Sequence, residues 1–310
     1  MSGYIARRIL VAIPTVLVII TLAFFAMRYA PGGPFDLERP MPEQVRQNLL
    51  AAYGMDQPVW KQYLDYLWGL LQFDLGPSLK FRDKTVARII SEGFPVSATI
   101  GLLSITLGVV AGVVLGSIAA LRQNSSLDYG VVGFATIGIV IPPFVVGPIL
   151  ALIVSIHLGW LPSGGLDPRH GMTPDRLILP VITLALPQIA IISRLMRASM
   201  IEVIRSNFIR TAYAKGLNPL AVIFRHALRA AILPVVSYLG PAAAALLTGS
   251  IVIEQVFSLP GVGRQFVFAT LQRDYTVVMG VVILYACLII IFNLVADLLY
   301  AVLNPKVRYD

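Results

Sequence analysis

NFIRTAYAKGLNPL, residues Asn207 to Leu220, is the stretch on which the reading of this chain turns. It is basic and polar, and it sits between two long apolar runs. Glycine at Gly216 suits the left-handed position just past a helix end. Asn218 suits an N-cap, and Pro219 the first helical position. The chain is therefore expected to make a short basic helix, turn sharply and start a second helix. The wider segment from Arg194 to Arg229 carries Arg194, Arg197, Arg205, Arg210, Lys215, Arg225 and Arg229 against a single acid, Glu202. Membrane orientation accounts for such charge. It does not account for the helix, the break, or the apolar Phe208, Ile209, Tyr213 and Leu217 interleaved with the charges. A short helix with apolar and basic faces is a docking element.

The flanking runs make this a membrane protein. Of 310 residues 57% are apolar and 13% charged, with a mean hydropathy of +0.80. A soluble domain has about a quarter of its residues charged. The formal charge of +8 is accordingly read through loop placement and not as a nucleic-acid footprint. Cys287 is the only cysteine, so no disulfide forms within the chain, and its apolar setting reads as a small buried hydrophobe. Arg7 and Arg8 followed by apolar residues imitate a signal peptide. The apolar run is long enough to span, however, and no convincing cleavage site precedes Arg28, so an uncleaved first span is expected.

Spans need about 20 mostly apolar residues. Six are expected, near Ile9–Met27, Ser97–Leu121, Val131–His157, Leu177–Ile201, Ile232–Phe257 and Val277–Leu303, forming one transmembrane domain over residues 1–310. Pro142, Pro143, Pro180, Pro187, Pro234 and Pro241 interrupt the third to fifth. Such breaks suit either a bundle lining a path or simple packing kinks. Six spans put both termini on one side. The basic residues between the fourth and fifth spans share that side with Arg7, Arg8, Arg122, Lys306 and Arg308, so the termini are expected in the cytoplasm. Residues 30–95 then form an outer loop, and residues 202–231 a cytoplasmic one. In the outer loop Trp60, Tyr63, Leu64, Leu67, Trp68 and Leu71 fall on one helical face. This is either a helix lying along the membrane surface or part of a small cap packed on the spans. Gly108, Gly112 and Gly116 in the second span are spaced for close helix packing.

Catalytic signatures are missing. There is no phosphate loop, no Gly-Lys pair, no H-E-x-x-H and no G-x-S-x-G, and His157, His170 and His226 lack metal-site spacing. Any nucleotide energy must come from another chain. The competing class is a self-contained secondary transporter. It would need paired ionisable residues near mid-membrane, and the spans hold few.

At the knuckle the sequence resembles a known family. Arg210-Thr211-Ala212-x-x-x-Gly216 occupies the place of the EAA-x-x-x-G motif of ABC importer permeases. The stretch FIRTAYAKGLNPLAVIFRHALRAAILPV is similar to the form found in the dipeptide, oligopeptide and nickel group. Arg210 stands for the motif's Glu, Thr211 for its first Ala, and Arg229 where many members have a closing Pro, with Pro234 coming later. Those departures are usual for the B-type permease of the peptide systems. ARRILVAIPTVLVIITLAFFAMRYAPGGPF, LGPSLKFRDKTV, FPVSATIGL, HLGWLPSGG, TGSIVIEQVFSLPGVGRQFV and DLLYAVLNPKVRY extend the resemblance over nearly the whole chain.

The resemblance implies an all-α, six-span type I importer permease in a bacterial inner membrane. A second six-span permease, two cytoplasmic ATPases and an extracytoplasmic peptide-binding protein would be its partners. ATP and magnesium would bind the ATPases, and this chain would hold no cofactor. The knuckle would be the coupling helix, with Phe208, Arg210, Thr211, Ala212, Tyr213, Lys215, Gly216 and Leu217 meeting one ATPase. Nickel, glutathione, opine and oligosaccharide permeases are the rivals within the family.

Within the membrane, Glu254 is a costly ionisable group near the outer end of the fifth span. With Phe257 and Pro260 it is a candidate for the substrate path or outer gate. The alternative is a structural role, satisfying a backbone turn or Arg264. Asp297 is expected to be balanced by Lys306 or Arg308. Ser193 and Arg194 lie where an inner gate could sit, though membrane orientation alone accounts for Arg194 as well. Trp160, Pro162 and Gly164, in a Trp-Leu-Pro-Ser-Gly-Gly stretch, are candidates for contact with the binding protein or simply a Pro-Gly turn with an interfacial Trp160.

Overall fold

The computed structural model describes residues 2–35, 42–81, 83–167 and 169–303. Its regular structure is helical: α1 (Ser2–Tyr29), α2 (Glu43–Ala52), α3 (Val59–Leu71), α4 (Val86–Leu121), α5 (Ser126–Val140), α6 (Pro143–Leu150), α7 (Pro174–Ile204), α8 (Asn207–Ala214), α9 (Pro219–Ala221), α10 (Leu228–Ala231), α11 (Leu233–Val256), α12 (Val262–Gln272) and α13 (Tyr275–Leu303). Wider π-helical turns at Ala151–His157 and Val222–Ala227 extend α6 and join α9 to α10.

Four helices are long and apolar enough to cross a membrane, or up to six if each of two bent pairs is one span. α4 begins at Val86, well before the expected Ser97. Its 36 residues make a rod of about 54 Å at 1.5 Å per residue, longer than a hydrocarbon core of about 30 Å. The third expected span, Val131–His157, is not straight. Segments Ser126–Val140 and Pro143–His157 meet at 102°. Pro142 and Pro143 lack N–H donors, and the residue before a proline is pushed out of the helical region, as Ile141 is at φ −83° and ψ 118°. The second bend, of 47°, lies between Pro219–Ala231 and Leu233–Leu246, at Ile232, with Pro234 in the first turn that follows.

α4 and α7 form the centre of the bundle, and the glycine stripe is what lets them meet. A Cβ on Gly108 would lie 2.7 Å from the Gln188 Cβ, and one on Gly112 2.7 Å from the Ile192 Cβ. One on Gly116 would lie 2.8 Å from the Met196 Cβ. Backbones this close gain dispersion contacts along the whole stripe. The outward faces carry large exposed side chains, among them Leu10, Ile13, Leu17 and Leu22 on α1 and Leu103, Val110, Val114 and Ile118 on α4. In water such a surface invites association; in a bilayer it is solvated by acyl chains.

α3 crosses α1. The Thr21 and Tyr63 hydroxyls meet at 2.6 Å, and the Tyr63 and Tyr66 rings pack on Phe24. Trp60, Leu64 and Trp68 remain exposed. The buried Asp274 caps α13 and accepts bonds from Ser78 Oγ, the Leu79 and Lys80 N–H groups and Thr276 Oγ1, so it ties the segment before α4 to the bundle. Asp297 pairs with Arg8 at 2.6 Å. The expected partners, Lys306 and Arg308, lie outside the described residues.

Candidate functional site

The knuckle has the geometry its sequence implies. α8 ends at Ala214 in a Schellman turn: the Gly216 N–H donates to the Tyr213 carbonyl at 2.9 Å, and the Leu217 N–H to the Ala212 carbonyl at 3.4 Å. Gly216 has φ +75°, with open space where a Cβ would go. Asn218 then caps the next helix, its Oδ1 accepting from the Leu220 N–H at 2.9 Å, and Pro219 opens it.

One face of α8 is anchored and the other is free. Ile209 and Ala212, three residues apart, are buried in a cluster with Met196, Met200 and Val222. Phe208, Arg210, Thr211, Tyr213, Lys215, Gly216 and Leu217 are exposed. Of the eight residues expected at this site, seven present surface and Ala212 is the anchor. Phe208 is 49% exposed, Tyr213 45% and Leu217 40%, an apolar group set among cations.

Behind the knuckle lies a clamp that the sequence reading missed. Arg197 near the end of α7 donates to Asp128 through Nε at 2.5 Å and Nη2 at 2.7 Å. The Asp128 side chain is 1% exposed and also accepts from the Asn124 N–H. Ser125 caps α5 by accepting from the Asp128 N–H at 3.4 Å. The Ser125-x-x-Asp128 spacing is the visible signal, because it marks a capping box. It locates the helix start, but it does not reveal that the carboxylate turns to α7. Arg194, one turn before, is exposed and lines an open cleft of about 600 Å³ with Val132, Ile139 and Arg197. Ser193 is buried, and its hydroxyl donates to the Ala190 carbonyl.

Glu254 lies inside the chain. It is 0% exposed. Its Oε1 accepts from Ser97 and Ser250, each at 2.7 Å, and its Oε2 from the Arg264 N–H at 3.0 Å. The Gly263 N–H also donates to the carboxylate. Ser97 Oγ accepts from the Val262 N–H at 2.9 Å. The first three N–H groups of α12 are thus satisfied, and the carboxylate sits at the positive end of that helix. A Cβ on Gly261 would collide with the carboxylate, and one on Gly263 would fall 2.6 Å from the Ile251 Cα. The Arg264 guanidinium reaches the Ser258 carbonyl and not Glu254. Phe257 is 1% exposed in an apolar cluster, and Pro260 is half-buried. The structure therefore places Glu254 in a node joining α4, α11 and α12, with no free carboxylate oxygen to offer a substrate.

The Trp160 turn is fixed from below. The Gly165 N–H donates to the Phe257 carbonyl at 2.7 Å, and Arg176 Nη1 to the Gly164 carbonyl at 2.8 Å. Gly164 has φ +147° and packs so closely on the Phe257 backbone that no side chain fits. Pro162 is half-buried; Trp160 is 73% exposed.

Comparison with known proteins places this geometry. A solved inward-facing structure of the MetNI methionine ABC transporter has a chain of the same fold, at TM-score 0.56 and 16% identity, covering 70% of this chain and 96% of that one. The likeness is one of fold, shared with a chain of an ABC transporter. The family described as the binding-protein-dependent transport system inner membrane component matches residues 112–309, and the chain belongs to it. It is 50% identical to the oligopeptide transport system permease protein OppB of Salmonella typhimurium, over 100% of both chains. To the dipeptide transport system permease protein DppB of Bacillus subtilis it is 42% identical, over 99% of this chain and 98% of that one. The chain is a multi-pass bacterial inner-membrane permease and not an enzyme.

Proposed function

We propose that this chain is a channel-forming subunit of an ATP-driven importer that takes up oligopeptides or dipeptides delivered by an extracytoplasmic binding protein. Both bent pairs count as spans in this reading, which gives six, with both termini cytoplasmic and α8 as the coupling helix. A second permease completes the channel, and two ATPases supply ATP hydrolysis on their own bound magnesium nucleotide. The full-length similarity to oligopeptide and dipeptide permeases supports the substrate class.

The observation that carries the coupling role is the two-faced α8. Its inner face is packed on Met196 and Met200 of α7, and α7 is packed backbone-to-backbone on α4. The Asp128–Arg197 pair adds α5 to the same body. A push on Phe208, Tyr213 or Leu217 would therefore move helices and not merely a loop. ATP shifts the two-state equilibrium only as far as the ATPases contact α8 differently in the two states. Glu254, Phe257 and Gly164 would then keep the outer mouth in shape, leaving Trp160 to meet the binding protein.

Purification of the tagged chain from its native membrane tests the reading. Two ATPase chains and a second six-span protein are expected with the wild type, and a lower but measurable recovery of the ATPases with Gly216→Val. A chain that emerges alone in both cases would overturn it.

A further inference from the structure

α1 has no residues to spare for crossing a membrane. Its apolar part, Leu10–Tyr29, is 20 residues long. That is about 30 Å at 1.5 Å per residue, the thickness of a hydrocarbon core. α3 packs on the middle and the far half of that stretch and not beyond its end. Phe24 meets the Tyr63 and Tyr66 rings at 5.3 and 5.9 Å, and Phe25 meets Tyr63 at 5.4 Å. Val16, Ile20, Leu67 and Leu70 belong to the same apolar cluster, together with Met279 and Ile283 near the start of α13. Thr21, which meets Tyr63, precedes Arg28 by seven residues, so it lies about 10 Å below the polar end of α1. A cap standing above the bilayer does not reach these residues. An α1 that crosses the membrane therefore carries α3 down into the leaflet.

The sides of α3 fit that place. Val59, Tyr63, Tyr66, Leu67 and Leu70 fall on the packed side, and Trp60, Leu64, Trp68 and Leu71 form an exposed apolar strip beside it. Lys61 and Asp65 are exposed on the third side. Asp65 lines a cavity with Arg28, so that side is turned to the polar end of α1. The deep hydroxyls are satisfied in series, as they must be where water does not come: Tyr63 meets Thr21 at 2.6 Å, and Thr21 donates to the Leu17 carbonyl at 2.7 Å. The strip is also continuous with the outward face of α1. Leu71 lines an open apolar groove of about 520 Å³ with Ile13 and Leu17 of α1 and with Cys287 and Ile290 of α13. We propose that α3 is a helix sunk in the leaflet where α1 ends, its Trp60, Leu64, Trp68 and Leu71 covered by phospholipid acyl chains that run on into this groove. The helix slopes inward. Tyr63 meets Phe24 and Phe25, whereas Leu67 and Leu71 share the groove with Ile13 and Leu17, so Trp68 lies deeper than Trp60. This placement follows from α1 and α13 being spans, whatever the transporter carries.

Tryptophan fluorescence of the full transporter in phosphatidylcholine nanodiscs, with and without bromine on the acyl chains, tests the seat of α3. Subtracting the spectrum of the double variant Trp60→Phe, Trp68→Phe isolates the α3 signal from Trp160 and from the partner subunits. Phenylalanine keeps the strip apolar, so the variant keeps its place. Bromolipid should lower the difference signal at least about twofold, and more than aqueous iodide does, because acyl chains surround the strip. In the single variants, bromine near the chain end should quench Trp68 more than Trp60, and bromine near the headgroup the reverse. Stronger quenching by iodide than by bromolipid would overturn the proposal and make α3 a cap in water. Quenching by neither would overturn it too, marking the strip as covered by a neighbouring subunit. A reversed order of depth for the two tryptophans would overturn it as well.

Discussion

Replacing Gly216 by valine should uncouple ATP hydrolysis from transport while leaving the chain folded. Gly216 is held at φ +75°, and nothing lies within 4 Å of the position a Cβ would take. The penalty therefore comes from the backbone and not from a clash. A left-handed L-residue costs about 1–2 kcal/mol, and a β-branched one stands at the upper end. About 2 kcal/mol lowers the population of the native turn roughly thirtyfold, since 1.4 kcal/mol is about tenfold. The loss is local. Ile209 and Ala212 stay buried on α7, while the bonds to the Tyr213 and Ala212 carbonyls are the ones that fail. Asparagine tolerates the left-handed region, so Gly216→Asn should lie between wild type and valine. The assay is the number of peptides imported per ATP hydrolysed by the purified transporter in proteoliposomes. Valine should lower that ratio more than fivefold, and asparagine should restore most of it. An unchanged ratio in Gly216→Val, or asparagine as damaging as valine, would refute the reasoning.

Other substitutions test the frame around the knuckle. Glu254→Ala strands two hydroxyls and the first turn of α12; at about 1–3 kcal/mol for each buried donor left unsatisfied, it should cause a large fall in the melting temperature of the purified protein. A small fall would show that the node is not what holds α4, α11 and α12 together. Gly112→Leu drives a side chain into Ile192 and should abolish accumulation of folded protein, whereas Gly130→Leu, which meets open space, should not. Asp128→Ala should cost about 2 kcal/mol, less than a fully buried pair, because the Arg197 side chain is 27% exposed and can hydrate. A double-mutant cycle with Arg197→Gln should return most of that as coupling energy, and additive losses would dissolve the clamp.

How far the sequence reveals the molecule depends on the range of the interaction. The Gly216-Leu217-Asn218-Pro219 turn was legible because every bond in it is made within six residues. The glycine stripe was legible because its spacing is that of one helix face, though its partner α7 was not. The apolar run does not reveal the start of α4, because Val86–Val96 precedes it and carries Arg88 and Glu92. The bend at Pro142 was visible as prolines, but its 102° was not. Glu254 and Asp128 show the limit most clearly. Ser97 lies 157 residues from Glu254, and Arg197 lies 69 from Asp128, so nothing local says which acid turns inward. Among the described residues Asp297 meets Arg8, at the other end of the chain, a contact that proximity along the sequence does not suggest.

The most direct test of the whole account is uptake of a labelled oligopeptide into proteoliposomes that hold this chain, its sister permease and the ATPases, with the binding protein outside. The account predicts accumulation that needs ATP on the ATPase side and stops when this chain or the binding protein is left out. Accumulation driven by an ion gradient through this chain alone, without ATP, would contradict it.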